Sequence, residues 1–227
     1  MIAQALPAVL SFSPVADTAA FYAFGKQADK LADTARAASA HALSDSAVAI
    51  ATEVVKSLSQ KNTPELVASS LQGLRHNTAI FSAISKDVEL AKSQARLFIS
   101  DALWLGYSTS AKEHARAMSN DSVVVSASLT QEDRQALVVG YPILGHSIPE
   151  IVDQLAYKLR FDIDAALAMP LTGNADPAQI PVAIKAISQE HAGRVAGAVD
   201  AAYFAGVQAA VREIGRALVG DASSGKV

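Results

Sequence analysis

The sequence predicts an all-α protein, a multi-helix bundle with long antiparallel helices and at most one short strand or hairpin near 122–129. Three observations predict it. Apolar residues recur at helical spacing over most of the chain. Cap and proline signals open one segment after another. A single run, SVVVSASL (Ser122–Leu129), is β-branched and partly alternating in the manner of a strand.

The elements follow in order. Residues 1–13 read as an N-terminal arm. Ser13-Pro14 opens a helix to about Ala42, with serine as cap and proline at the first helical position. Ser44 or Ser46 caps the next, where Val48, Ala51, Val55 and Leu58 share one face. Thr63-Pro64-Glu65 opens a short helix to about Arg75. Asn77 or Thr78 starts the longest segment. Its row of Ile80, Ile84, Val88, Ala91, Ala95, Phe98, Ala102 and Leu105 ends at Gly106, a natural helix stop. A separate polar helix, STSAKEHARAMSN, follows.

Thr130, with Asp133 at the capping-box position, starts a short helix, and GYPILGHS is a turn-rich link. Ser147-Ile148-Pro149-Glu150 is a second capping box and opens a helix to about Met169. Asp176-Pro177 opens the last helical stretch, which runs to about Val219 with a possible break near His191–Gly193. The chain thus divides into the arm, a helical region 14–120, a loop or hinge 121–146, a helical region 147–219 and a disordered tail 220–227.

Composition narrows the function. Of 227 residues, 51% are hydrophobic and only 18% charged, below the roughly 25% of an average soluble domain. So small a charged fraction suggests that surface is hidden against other subunits. The net charge of −3 and the absence of a basic block argue against sequence-specific nucleic-acid binding. No Cys is present, so thiolate sites and disulfides are excluded. No uncharged stretch is long enough for a transmembrane span.

No motif for chemistry stands up. Gly220 to Lys226 fits the first seven positions of a phosphate-binding loop, but Val227 stands where Ser or Thr must hold magnesium. The five histidines, at 41, 76, 114, 146 and 191, show no zinc spacing, so no metal site is expected. Asp162/Asp164 and Glu132/Asp133 lie too close in sequence to share a helix face. No nucleophile elbow appears. The reading is therefore no enzyme, no catalytic residue and no cofactor. KEHAR (Lys112–Arg116) and QEHAGR (Gln189–Arg194) echo each other, as solvated helix faces often do, and the echo does not extend into a repeat.

Two features point to packing. Small residues recur every fourth position in the last helix, in the rows Gly193, Gly197, Ala201, Ala205, Ala209 and Ala198, Ala202, Gly206, Ala210. Such stripes let another backbone approach closely. Gly193, Gly197, Ala198, Ala202, Gly206 and Ala210 are thus the expected helix-packing interface. Trp104 and Tyr107 are candidate anchors for a partner.

The stretch Gly140–Gly215 resembles the phage head-morphogenesis, or minor capsid, family. The resemblance lies in the order of a glycine-containing loop, an amphipathic helix, a Gly/Asp/Pro turn and a PAQI helix. It ends in the pattern A-Y-x-x-G-x-x-A-x-x-R-E-x-G on Ala202, Tyr203, Gly206, Ala209, Arg212, Glu213 and Gly215. Where the family tends to carry an Arg-Thr-Glu-like triplet before the A-Y, this chain has AGAVD. The resemblance implies a non-enzymatic structural or assembly protein of a bacteriophage virion. It would be a capsid, neck or internal component assembled in the host cytoplasm, pairing with itself and with other virion proteins. Two other readings remain, both cytoplasmic: a helical granule- or surface-coating scaffold and a small-ligand-binding helical bundle.

Overall fold

The computed structural model describes residues 14–59, 69, 73–118, 130–168 and 179–224. Among them the chain is a helical bundle with no strand. Its helices are α1 (Pro14–Ser39), α2 (Ser44–Ser59), α3 (Thr78–Met118), α4 (Gln131–Gly140), α5 (Ile148–Ala168) and α6 (Gln179–Ser224), with a 3-10 turn at Leu74–His76 before α3. The expected arm 1–13, the strand-like 122–129 and most of the short helix from Thr63 lie outside the described residues.

Two long helices form the axis of the molecule. α3 has 41 residues and α6 has 46, about 60 and 70 Å at 1.5 Å per residue. They run parallel. Ile80 and Ile84 share one apolar cluster with Ile180 and Ile184, whereas Ala95, Ile99 and Ala102 share a second with Val195, Val199 and Ala202. The antiparallel packing expected of the bundle is found between these two and the shorter helices. α1 lies antiparallel to α6, fixed by Tyr203 Oη–H donating to Gln27 Oε1 at 3.0 Å and Ser188 Oγ–H donating to the Ala40 carbonyl at 2.8 Å. α5 runs antiparallel to α3, with Lys92 paired to Asp153 and Arg160 stacked on Phe81.

Several element ends follow the local chemistry. Thr130 Oγ1 accepts the Asp133 N–H, and the Asp133 carboxylate accepts the Thr130 N–H at 2.7 Å, so aspartate closes this capping box. Ser147 and Glu150 close the other in the same way. Between them Ile143 and His146 bridge across a tight turn. Leu144 (φ 51°) and Gly145 (φ 86°) take its left-handed positions, and only glycine does so without strain.

Four expectations about the helices are corrected. Gly106 does not stop α3, which absorbs the following polar segment and continues to Met118. No break occurs near His191–Gly193, because α6 is continuous. The tail begins later than expected, since helix extends through Ser224. On α2 the buried positions are Ile50 and Val54, while Val48 and Val55 are exposed. The reason is a polar residue in the core. Ser46 is fully buried, and its N–H and Oγ–H both donate to the Asp87 carboxylate of α3, at 2.8 and 2.7 Å. Hydropathy assigns such a residue to the outside, so the stripe is read one position away from where it lies.

Candidate interaction surfaces

The small residues of α6 divide into two sets with different surroundings. Ala202, Gly206 and Ala210 are buried inside the chain against α3. A side-chain carbon added at Gly206 would collide with the Leu103 carbonyl oxygen and lie 2.7 Å from the Tyr107 nitrogen. One added at Gly106 would collide with the Tyr203 carbonyl oxygen and lie 2.9 Å from its carbon. Each glycine therefore directs a Cα–H at the carbonyl of the other helix, a weak but recurrent contact where helices cross closely. The helix that lies against the α6 stripe is thus α3 of the same chain. Sequence reading took Gly106 for a stop, because a glycine at a crossing and a glycine at a helix end look alike in a linear pattern.

Gly193 and Gly197 do not join this contact. Both are exposed, and a carbon added at either would meet nothing within 4 Å. Ala198 is half-buried at the edge of the core. The expected interface rows therefore split by helix rotation. The row through Gly206 faces inward near the crossing, whereas the other row is open at Gly193 and Gly197 and turns inward further along, where Ala205 and Ala209 are buried.

Trp104 and Tyr107 are both half-buried and stack on each other with ring centres 5.8 Å apart. Tyr107 Oη–H donates to Glu213 of α6 at 2.5 Å, tying the two long helices beyond the glycine crossing. Burial, and then the Glu213 carboxylate, holds the phenol proton on far above its usual range. As an anchor Tyr107 is already engaged within the chain.

Larger apolar residues sit on outer faces. On α3, Leu90 and Leu97 stand one heptad apart and are 51% and 64% exposed. On α5, Tyr157 and Phe161 stack on each other, 6.5 Å between centres, at 73% and 54% exposure. Val182 of α6 is also exposed.

Polar groups of the described residues are mostly joined in structural contacts. Asp162 accepts from Lys158 at 2.6 Å and from Arg194 of α6 at 2.9 Å, and Arg194 also pairs with Glu190. Burial pushes the Asp162 carboxyl up, but these two cations outweigh it and hold it below the usual range. Asp164 pairs with Arg160 instead, so the two acids do not act together. Ser110 and His114 approach as a nucleophile and base would. The imidazole Nδ1, however, lies 2.8 Å from the Ser110 carbonyl, and a proton given to that acceptor leaves Nδ1 no lone pair for the hydroxyl. No group of three metal-capable side chains occurs among the described residues.

One hollow of about 270 Å3 opens at the base of the bundle. Its walls are Ile80, Ile84 and Leu167, with His76, Arg160 and Asp164 at the rim. The Arg160 guanidinium already pairs with Asp164 and stacks 4.8 Å over Phe81, so it is committed before any ligand arrives. The volume falls just below the roughly 300–1,000 Å3 of pockets that enclose a ligand.

Fold and surfaces together define a helical bundle built on a parallel pair of long helices. No helix among the described residues is long and apolar enough to cross a membrane. No family model, curated protein or solved structure matches the chain.

Proposed function

We propose that the chain is a non-enzymatic structural or assembly protein that works by helix packing in an oligomer. The observation that carries this is the row of large apolar side chains on outer helix faces, Leu90 and Leu97 above all, in a chain with few charges. Water exposure of such residues is unfavourable, about 25 cal/mol per Å2, and a neighbouring subunit would remove it. The exposed Gly193–Gly197 stripe offers a place where a second backbone could approach. A virion of the head-morphogenesis, minor capsid kind is the setting that the resemblance of Gly140–Gly215 implies, and no other observation bears on it.

Native mass spectrometry tests the assembly. A mass that is a multiple of 23.6 kDa is expected, reduced to the single-chain mass by Leu97→Glu without loss of helical signal. A wild-type monomer at micromolar concentration would overturn the reading. Peptide mass spectrometry of purified particles tests the virion setting, and absence of the chain from them would remove it.

A further inference from the structure

The outer face of α3 carries two parallel stripes of different chemistry. Ala83, Leu90, Leu97 and Trp104 stand seven positions apart and line one side of the helix. Leu90 and Leu97 are the exposed middle of this stripe, Ala83 and Trp104 its half-buried ends. Glu89 and Arg96 each precede a leucine by one position. They form a second stripe about 100° round the helix, and both are exposed. Ser93 lies between the stripes and is exposed as well.

Charged groups on this stretch of α3 divide by partner. Lys86 pairs with Asp45, Lys92 with Asp153 and Asp101 with Arg134, and Asp87 holds Ser46. Glu89 and Arg96 make no ion pair among the described residues. Seven positions separate them by about 10 Å along the axis, too far to pair within their own helix. One anion and one cation are thus left over, at equivalent places beside the two exposed leucines.

We infer that this face of α3 pairs antiparallel with α3 of a second copy, about a two-fold axis passing beside Ser93. The inference rests on the oligomer proposed above and supplies its interface. Under that axis Leu90 meets the partner's Leu97, and Trp104 meets the partner's Ala83, large against small. Glu89 meets the partner's Arg96, and symmetry makes each contact twice. Ser93 adds little bulk where the helices come closest. Parallel pairing, about an axis along α3, would instead press each leucine stripe on the partner's charged stripe and desolvate those charges unpaired. The order of the charges therefore selects both the partner, a second copy, and its direction.

Charge reversal tests it, read by native mass spectrometry over a dilution series. Glu89→Arg sets arginine against arginine, and Arg96→Glu sets glutamate against glutamate. Each variant alone is expected to dissociate at least about tenfold more readily than the wild type. Mixed together, the two are expected to form a hetero-pair of wild-type affinity, because one copy brings two arginines and the other two glutamates. The double variant Glu89→Arg/Arg96→Glu is expected to recover the homo-pair. Both positions are exposed, so the helical signal of each variant is expected to be unchanged. A wild-type oligomer that neither reversal weakens, or reversals that mixing does not restore, overturns this pairing and leaves the proposed oligomer standing. A wild-type monomer at micromolar concentration overturns both.

Discussion

At the scale of single residues, the buried polar side chains decide where α2 sits. Asp87 is 4% exposed and lies on α3, yet its carboxylate accepts from the backbone and hydroxyl of Ser46, in the first turn of α2. The first N–H groups of a helix have no partner within it, and that end carries a partial positive charge. Asp87 supplies both an acceptor and a compensating charge from across the core. Its carboxylate makes the cap that sequence reading looked for in α2 itself. Asp87→Ala leaves the Ser46 N–H and O–H buried without acceptors. Loss of a charged hydrogen-bond acceptor in such a place costs about 2–3 kcal/mol. The urea midpoint is therefore expected to fall, and Ser46→Ala to cost less, because it leaves the backbone N–H bonded. Equal losses for both variants would show that the hydroxyl, not the capped helix end, is what matters.

At the scale of helices, the glycines of α6 show what a linear pattern can reveal. Helix starts were legible, since Thr130–Asp133 and Ser147–Glu150 act only on their own first turn and need nothing from the rest of the fold. The core row of α3 was legible too, because its period is set by one helix. What could not be read was relation between helices. Gly106 and Gly206 meet because two helices cross there, and Gly193 and Gly197 meet nothing because their side of α6 turns outward. All four satisfy the same spacing rule. The difference predicts opposite signs for one substitution. Gly197→Ala removes backbone freedom from the unfolded chain and meets open space, so it is expected to stabilise by about 0.5–1 kcal/mol. Gly206→Ala gains the same propensity but drives a methyl group into the Leu103 carbonyl, and overpacking of this kind costs about 1–3 kcal/mol or more. Thermal unfolding of the two variants side by side checks this. A fall in Tm for Gly197→Ala would mean that its face is covered, which in a single chain it is not.

At the scale of the whole molecule, the two apolar clusters are separated along α6 by an imidazole that in water would take up a proton near pH 6.5. His191 is 1% exposed, lies between Ile184 of one cluster and Val195 of the other, and neither ring nitrogen has a hydrogen-bond partner among the described residues. Burial, and then the Arg194 charge, lowers its pKa to about 4. The unfolded chain takes up this proton near pH 6.5, the folded chain only near 4. Between those values the unfolded state binds more protons, so stability is complete above about 6.5 and falls as pH drops toward 4. A shift of this size corresponds to about 3 kcal/mol over the window. Carboxylates such as Asp162, held below their usual range by Lys158 and Arg194, also lose their stabilising charge as pH falls, but at the lower end. Comparing wild type with His191→Ala separates the two effects. The difference in unfolding free energy between them is expected to change steadily from pH 6.5 to 4 in favour of the variant, and to be flat above 7. A difference that is constant across the window would mean that His191 is protonated as readily in the folded core as in the unfolded chain. In an oligomer the same proton would act on every copy at once, since α6 carries both the chain's own crossing and the exposed Gly193–Gly197 stripe.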